Sequence, residues 1–345
     1  MKAIILTFSK VSNRGANLQS YALCNYFRNK GFYVEFLNVK SPERKGFRDI
    51  VPMINNFLAG IFRKKNGFRY TRKYRSIDEL KNDLPKADVY IVGSDQVWNT
   101  DITFSTDPRI YFFTFLPESA IKIAYAASFG TDKWKPTVYD DEIIKSLHLF
   151  KAISVRESSG INVCKEKFGI ENVPVVLDPT LLMTTDTVAS LFVKKKHKKQ
   201  IFCYLLAKDT LIARLVVEIK EKLQLPVFGD RGRNKILNAI QAIYGVSTWL
   251  SYIDRSEFIV TNSFHCVVFC ILLQKRFIAI PAAAGKSGRI TSLLEVLGLK
   301  DRFIDSVDML LDAVLFNNID YELVYSKLNI ARNESEKFLN AIFEK

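Results

Sequence analysis

Short apolar runs alternate with stretches of helical spacing along almost the whole chain. "KAIILTF" leads through a polar loop to "GANLQSYALCNYFRNKG", where Leu18, Tyr21, Ala22 and Tyr26 keep one helical face and Gly31 closes the helix. "YVEFLNV", "ADVYIVGSD", "IKIAYAASFG" and "KAISVRE" follow, each an apolar run ending in small or polar residues. That succession predicts an α/β fold with a largely parallel sheet. "VPVVLDPTLL" then carries a strand into Asp-Pro near residue 178, a crossover between domains. Beyond it the alternation resumes with "QIFCYLLA", a helix around 210–224, "PVFGD", "STWLSYIDRSE", "FIVTNS", a buried helix over 264–273 and "RFIAIP". "RITSLLEVLGL" reads as a short amphipathic helix ended by Gly298, and Tyr321–Phe343 as a last helix packing back on the first half. The pattern therefore predicts two Rossmann-like domains with a central cleft, residues 1–180 and 181–345.

Charge adds a feature that periodicity does not show. The chain of 345 residues carries 50 Lys and Arg against 36 Asp and Glu, a net +14. Such a balance points to anionic partners. From Lys40 to Arg75 eleven basic residues face only Glu43 and Asp49, and they flank the apolar "IVPMINNFLAGIF". This basic amphipathic excursion (about 40–75) suits the surface of an anionic bilayer, and equally a helix packed on its own domain. The five cysteines are scattered and mostly lie in apolar segments, as reduced thiols of a cytoplasmic protein would. "MKAIILTF" has too short an apolar run for a secretory signal, and no stretch is long enough to span a bilayer. The expected location is cytoplasmic, with peripheral attachment to the inner leaflet of the cell membrane.

Ligands of open α/β sheets lie beyond the carboxyl ends of the strands. Five polar segments occupy that position: "SKVSNRGANLQS", "GSDQVWN", "SVRESSG", "TNSFHC" and "AAGKSGR". No Walker loop or G-x-G-x-x-G is present. Ser12, Asn13, Arg14 and Gly15 precede a helix whose N–H groups could hold an anion; a plain Asn-capped loop fits the same residues. Asn13, Arg14 and Asn17 are the candidate acceptor contacts there. Arg156 ends an apolar strand and needs a counter-charge, which a ligand anion, Glu157 or Asp95 could provide. Asp95 reads as a general base or as a capping carboxylate, and Trp98 as a sugar platform or as core.

His265 is one of only three histidines. Ser263 is placed to cap the helix from Phe264, which puts His265 in the first helical turn at a strand's carboxyl end. The helix dipole there works against a positive charge on the ring. A histidine so placed can exchange a proton, or donate to a backbone carbonyl as a core residue. Cys266 and Cys270 beside it read as packing, and no second Cys/His pair completes a zinc site. No metal is expected.

Taken in order, "RGANLQSYALCNYFRNKGFYVEFLNV", "IVGSDQVWN", "KIAYAASFG", "ISVRE", "VLDPTLL", "IVTNSFHCVVFCILLQKRFIAI" and "GRITSLLEVLGL" resemble the polysaccharide pyruvyl transferase family from residue 14 to about 299. Cys266 stands where that family usually has Gly, and "SNRGAN" where a "NYGA"-type loop is common. The resemblance implies a fold similar to GT-B glycosyltransferases. It implies transfer of the enolpyruvyl unit of phosphoenolpyruvate onto a sugar of a polysaccharide precursor, often linked to a polyprenyl diphosphate, to give a cyclic pyruvate ketal. The family's donor-engaging arginine and histidine match Arg156 and His265. For the chemistry so implied, His265 is the candidate acid/base, Asp95 the candidate group acting on the acceptor hydroxyl, and Ser263, Arg289 and Lys286 are candidate further donor contacts beside Arg156. Beyond phosphoenolpyruvate as co-substrate no cofactor is implied. His265→Ala and Arg156→Ala are each expected to remove most turnover without unfolding the chain. The alternative within enzymes is a GT-B glycosyltransferase using a nucleotide sugar. A nucleic-acid partner is not expected, since the basic residues show no reading helix or aromatic RNA platform.

Overall fold

In the computed structural model of the chain, residues 1–39, 50–103, 106–206, 210–229, 243–281, 287–309 and 312–343 are described. Six parallel strands form the first sheet: β1 (Lys2–Leu6), β2 (Tyr33–Val39), β3 (Tyr70–Tyr74), β4 (Val89–Val92), β5 (Lys122–Ala127) and β6 (Ala152–Val155). Their order is β3-β2-β1-β4-β5-β6. The chain moves outward from β1 to β3, then returns to lay β4 against the other side of β1. In folds of this kind ligands bind at such a reversal, beyond the carboxyl ends of the strands. The central strands are apolar on both sides because both faces are covered: every residue of β4 and β5 is buried. One core holds Ile4, Leu6, Val92 and Phe129, and the other holds Ile5, Leu23, Phe27, Ile91 and Tyr125.

The second sheet has four parallel strands, β7 (Lys198–Tyr204), β8 (Val227–Gly229), β9 (Ser256–Thr261) and β10 (Arg276–Ala279), in the order β10-β9-β7-β8. Its reversal falls between β7 and β9. The helix Phe264–Leu272 behind β9 is buried at every position, as its unbroken apolar sequence requires.

Two compact units result: Met1–Asp49, Arg63–Leu182 and Arg332–Lys345 in one, Ile50–Phe62 and Met183–Ala331 in the other. The first part of the Ile50–Lys65 helix thus groups with the second unit, whereas the charge pattern had drawn the whole excursion into the first half. The reason is local: Asn55 Oδ1 accepts a hydrogen bond from Tyr244 N at 3.2 Å, and a Cβ added at Gly245 would meet Leu58 Cβ at 3.5 Å. Charge runs mark a surface, and they say nothing of which core lies under it.

The closing helix Tyr321–Ala341 begins in the second unit, where Tyr321 and Tyr325 donate to the Lys275 and Leu272 carbonyls. Its last turns belong to the first unit. There Leu339 and Ile342 join Phe27 and Phe32 in the core, and Ser335 Oγ accepts from Leu177 N at 3.0 Å. Truncating a fully packed leucine leaves a cavity that costs about 2–5 kcal/mol. Leu339→Ala should therefore lower the unfolding midpoint in urea, and an unchanged midpoint would mean that these turns do not seal the first unit.

Candidate functional site

The polar residues of the first unit gather where β4, β5 and β6 end. Arg156 follows β6 with its side chain 1% exposed, and its Nη1 lies 2.7 Å from Asp178 Oδ2 and 3.3 Å from Ser94 Oγ. Asp95 Oδ1 stands 3.7 Å from Nη2, and Glu157 Oε2 3.9 Å from Nε. Burial by itself would lower the arginine's pKa, but the Asp178, Asp95 and Glu157 carboxylates outweigh it and the net shift is upward. One permanent cation is thus set among three acids. Asp178 is held in turn by Ser94 Oγ at 2.8 Å and by the Thr180 hydroxyl and N–H at 2.5 and 3.0 Å.

Backbone distortion shapes this cluster. Asp95 has φ +81°, in the left-handed region that favours glycine, at a strain of roughly 1–3 kcal/mol. Its carbonyl accepts from Val97 N and Ser128 N, and its Oδ1 accepts from Gln96 N at 2.9 Å. Ala126, at φ +52°, marks the register shift between β5 and β6, and its N–H donates to Ser154 Oγ. Past that shift, Ser128 Oγ donates to Glu157 Oε1 at 2.7 Å.

In the second unit the polar loop after β9 is tied to the end of β7. Leu206 N donates to Asn262 Oδ1 at 2.7 Å, and Thr261 Oγ1 donates to the Tyr204 carbonyl at 2.7 Å. Ser263 caps the Phe264–Leu272 helix by accepting from Cys266 N at 3.4 Å. His265 is therefore in the first turn, at the sheet's reversal, 7% exposed and edge-on to the Phe264 ring. Cys266 and Cys270 are buried free thiols, and burial first, then the Cys266 neighbour, pushes the Cys270 thiol well up, away from nucleophilic use. Arg289 lies half-buried in the first turn of the Gly288–Leu297 helix, and Lys286 falls outside the described residues. Among the described residues no group of three or more His, Cys, Asp or Glu side chains could hold a metal ion.

Several candidates have structural work to do. Asn13 caps the Arg14–Asn29 helix by accepting from Ala16 N at 3.0 Å, and Arg14 opens it half-buried. Asn17 is buried, donating to the Val11 and Asn13 carbonyls and accepting from Arg63. Trp98 is 1% exposed, stacked on Phe112 at 5.4 Å, with its indole N–H given to the Tyr111 carbonyl, so it has no ring face to offer a sugar. Arg156 meets its counter-charge in Asp178, a residue the sequence pattern marked only as a crossover. Its signal was a carboxylate at the end of an apolar run just before proline.

Two parallel sheets, each with polar loops at a reversal of strand order, define an α/β chain of two Rossmann-like units of the GT-B kind. A candidate UDP-N-acetylglucosamine 2-epimerase of Listeria monocytogenes is similar in structure, with a TM-score of 0.59 at 10% identity, over 99% of this chain and 96% of that one. The S. aureus MnaA–UDP complex gives 0.56 at 12% identity, over 100% and 98%. At such identities the likeness concerns the fold alone. The family model of polysaccharide pyruvyl transferases matches residues 13–282, and the chain belongs to that family, a class of transferases in polysaccharide biosynthesis. No curated protein matches it.

The geometry revises what Arg156→Ala would do. Removing the guanidinium leaves Asp178 and Glu157 buried without their cation, a loss of about 3–5 kcal/mol. The variant should melt well below the parent protein in scanning calorimetry; parent-like melting would show that the pair is not needed for the fold.

Proposed function

We propose that the protein transfers the enolpyruvyl group of phosphoenolpyruvate to a sugar of a polysaccharide precursor, closing a cyclic pyruvate ketal. The observation that carries the reading is His265, set at the start of a capped, buried helix where the second sheet reverses its strand order, within a chain of this family. His265 gives a proton to the methylene carbon, C2 becomes electrophilic, and the first sugar hydroxyl adds there. Phosphate leaves and the second hydroxyl closes the ketal. Two hydroxyl protons are lost, one replacing that given to the methylene and one departing with phosphate. The helix N–H groups beside Ser263, with Arg289 and Lys286, are the proposed holders of the donor's carboxylate and phosphate. Asp95 orients or deprotonates the acceptor hydroxyl. Arg156, enclosed by carboxylates, serves as a positioning residue that fixes Asp95 and Asp178.

His265→Ala should lower turnover by roughly 10²–10⁴-fold with melting unchanged. The assay mixes phosphoenolpyruvate with candidate acceptors and follows phosphate release and a product heavier by one pyruvyl ketal. Near-normal activity of the variant would remove His265 from the chemistry, and hexose transfer from a nucleotide sugar would replace the reading altogether.

The acceptor we propose is lipid-linked, reached at an anionic membrane surface. Among the described residues no helix is long and apolar enough to cross a membrane. The Ile50–Lys65 helix supports peripheral attachment: Met53, Phe57 and Ile61 recur every fourth residue at 69, 69 and 52% exposure, ahead of Arg63, Lys64 and Lys65 in the last turn. Sinking one such side chain is worth about 1.5–3 kcal/mol. Phe57→Glu should therefore weaken cosedimentation with phosphatidylglycerol vesicles at least tenfold, and undiminished cosedimentation would exclude this face.

A further inference from the structure

Apart from the clusters at Asp95 and His265, the first unit concentrates positive charge where β1, β2 and β3 end. Lys10 lies in the loop after β1, with Nζ 2.8 Å from Asn38 Oδ1 near the end of β2 and 4.2 Å from the centre of the Tyr70 ring on β3. Tyr70 in turn donates its hydroxyl to the Ser9 carbonyl at 3.2 Å, which fixes the loop over the strand ends. Arg63 reaches the same loop, its Nη1 3.1 Å from both the Val11 carbonyl and Asn17 Oδ1. Lys73 is exposed on β3, in register with Asn38 on β2.

The contacts of Lys10 are to an amide oxygen and a ring, and neither is to a carboxylate. Burial lowers the Lys10 pKa first, and Arg63 and Lys73 lower it further, so the charges felt most strongly by this amine are both like charges. Among the described residues neither Lys10 nor Lys73 forms an ion pair with an acid. Two exposed lysines are thus brought near one another at the ligand side of a Rossmann-like sheet, with Arg63 close by, at a cost in mutual repulsion that an anion would relieve. Neighbouring strands stand about 4.7–4.9 Å apart, so strand ends three abreast cover about 10 Å. That width suits two linked phosphates better than one.

We propose that Lys10 and Lys73, on the loop and strand beside Arg63, form a diphosphate subsite that holds the acceptor's lipid-linked diphosphate. This rests on the pyruvyl-transfer reading and gives its acceptor a handle separate from the donor's. Arg63 is anchored by the loop and braces it, whereas Lys10 and Lys73 are exposed and supply mobile charge to the phosphate oxygens.

The test is calorimetric titration of the full chain with inorganic pyrophosphate, comparing the parent protein with Lys10→Gln, Lys73→Gln and, as a control, Lys337→Gln on the closing helix. Loss of one charge-assisted contact should weaken binding by about tenfold or more in the first two, with the control unchanged. Equal affinity in all four proteins, or an equal loss in all three variants, overturns the subsite. Both lysines are exposed, so folding of the variants is not in question, and circular dichroism confirms it. In the transfer assay the same two variants should raise KM for a polyprenyl-diphosphate acceptor about tenfold while KM for phosphoenolpyruvate holds; a rise in the latter instead would assign the cluster to the donor and overturn the proposal. Phosphatidylglycerol vesicles without acceptor separate the other source of phosphate. Vesicle binding that falls with Lys10→Gln, while pyrophosphate binding does not, would mean a headgroup site and overturns it too. Pyrophosphate binding that depends on the lysines in a protein inactive with phosphoenolpyruvate would refute the reaction and leave the subsite standing.

Discussion

A guanidinium with one per cent of its side chain exposed must be neutralised from within the protein, and the first unit is organised around meeting that demand at Arg156. Asp178 does so at 2.7 Å, and nearly every polar feature at this end of the sheet is connected to that carboxylate. Ser94 donates to it from the loop after β4; the Ser94 carbonyl accepts from Thr7 at the end of β1; and Thr7 accepts from Gln19 on the first helix. Thr180 holds its other oxygen at the exit of the unit, one residue past Pro179. Leu177, just before it, is bound by Ser335 from the closing helix. A single buried charge pair therefore fixes the ends of β1, β4 and β6 and the point at which the chain leaves the unit. The strained Asp95 is affordable because its surroundings over-determine it.

The polar loop of the second unit is held by hydrogen bonds to backbone. Thr261, Asn262 and Ser263 are three successive polar residues, and each is spent on backbone: the Tyr204 carbonyl, the Leu206 N–H and the Cys266 N–H. Behind them the helix from Phe264 to Leu272 is enclosed on all sides, so its first turn cannot shift without opening the core. His265 inherits that rigidity. A capped helix start on a fully buried helix thus fixes the position of the ring through ordinary packing.

How much of this was legible in the sequence depended on the range of the interaction. The parallel strands, the Ser263 cap and the packing role of Cys266 and Cys270 follow from residues within a few positions of one another, and periodicity and capping rules reach that far. The partner of Arg156 does not. Asp178 is 22 positions downstream, beyond a helix, and the nearer acids Glu157 and Asp95 were the natural candidates. Trp98 was ambiguous for a related reason: a lone aromatic after a strand end carries no period, and only Phe112 and Phe129 from other segments decide that it is core. The grouping of Ile50–Phe62 with the second unit was likewise hidden, because an amphipathic helix reveals that it has a buried face and not what buries it.

The same distinction bears on what the net charge of +14 means. Counting arginines as candidate anion ligands treats every cation as equally available, yet the most deeply buried of them is surrounded by a local excess of negative charge. A phosphate brought beside Arg156 would meet Asp178, Glu157 and Asp95 before it met a free positive field, and at such separations repulsion among buried charges amounts to several kcal/mol. Lys10 differs in its surroundings: its contacts are to the Asn38 amide oxygen and the Tyr70 ring. Among the described residues neither Lys10 nor Lys73 is paired with an acid, so their charge is not answered as that of Arg156 is. In a chain this basic, the surroundings of each cation, and not the number of cations, separate the arginine enclosed by acids from the lysines that face amides, rings and solvent.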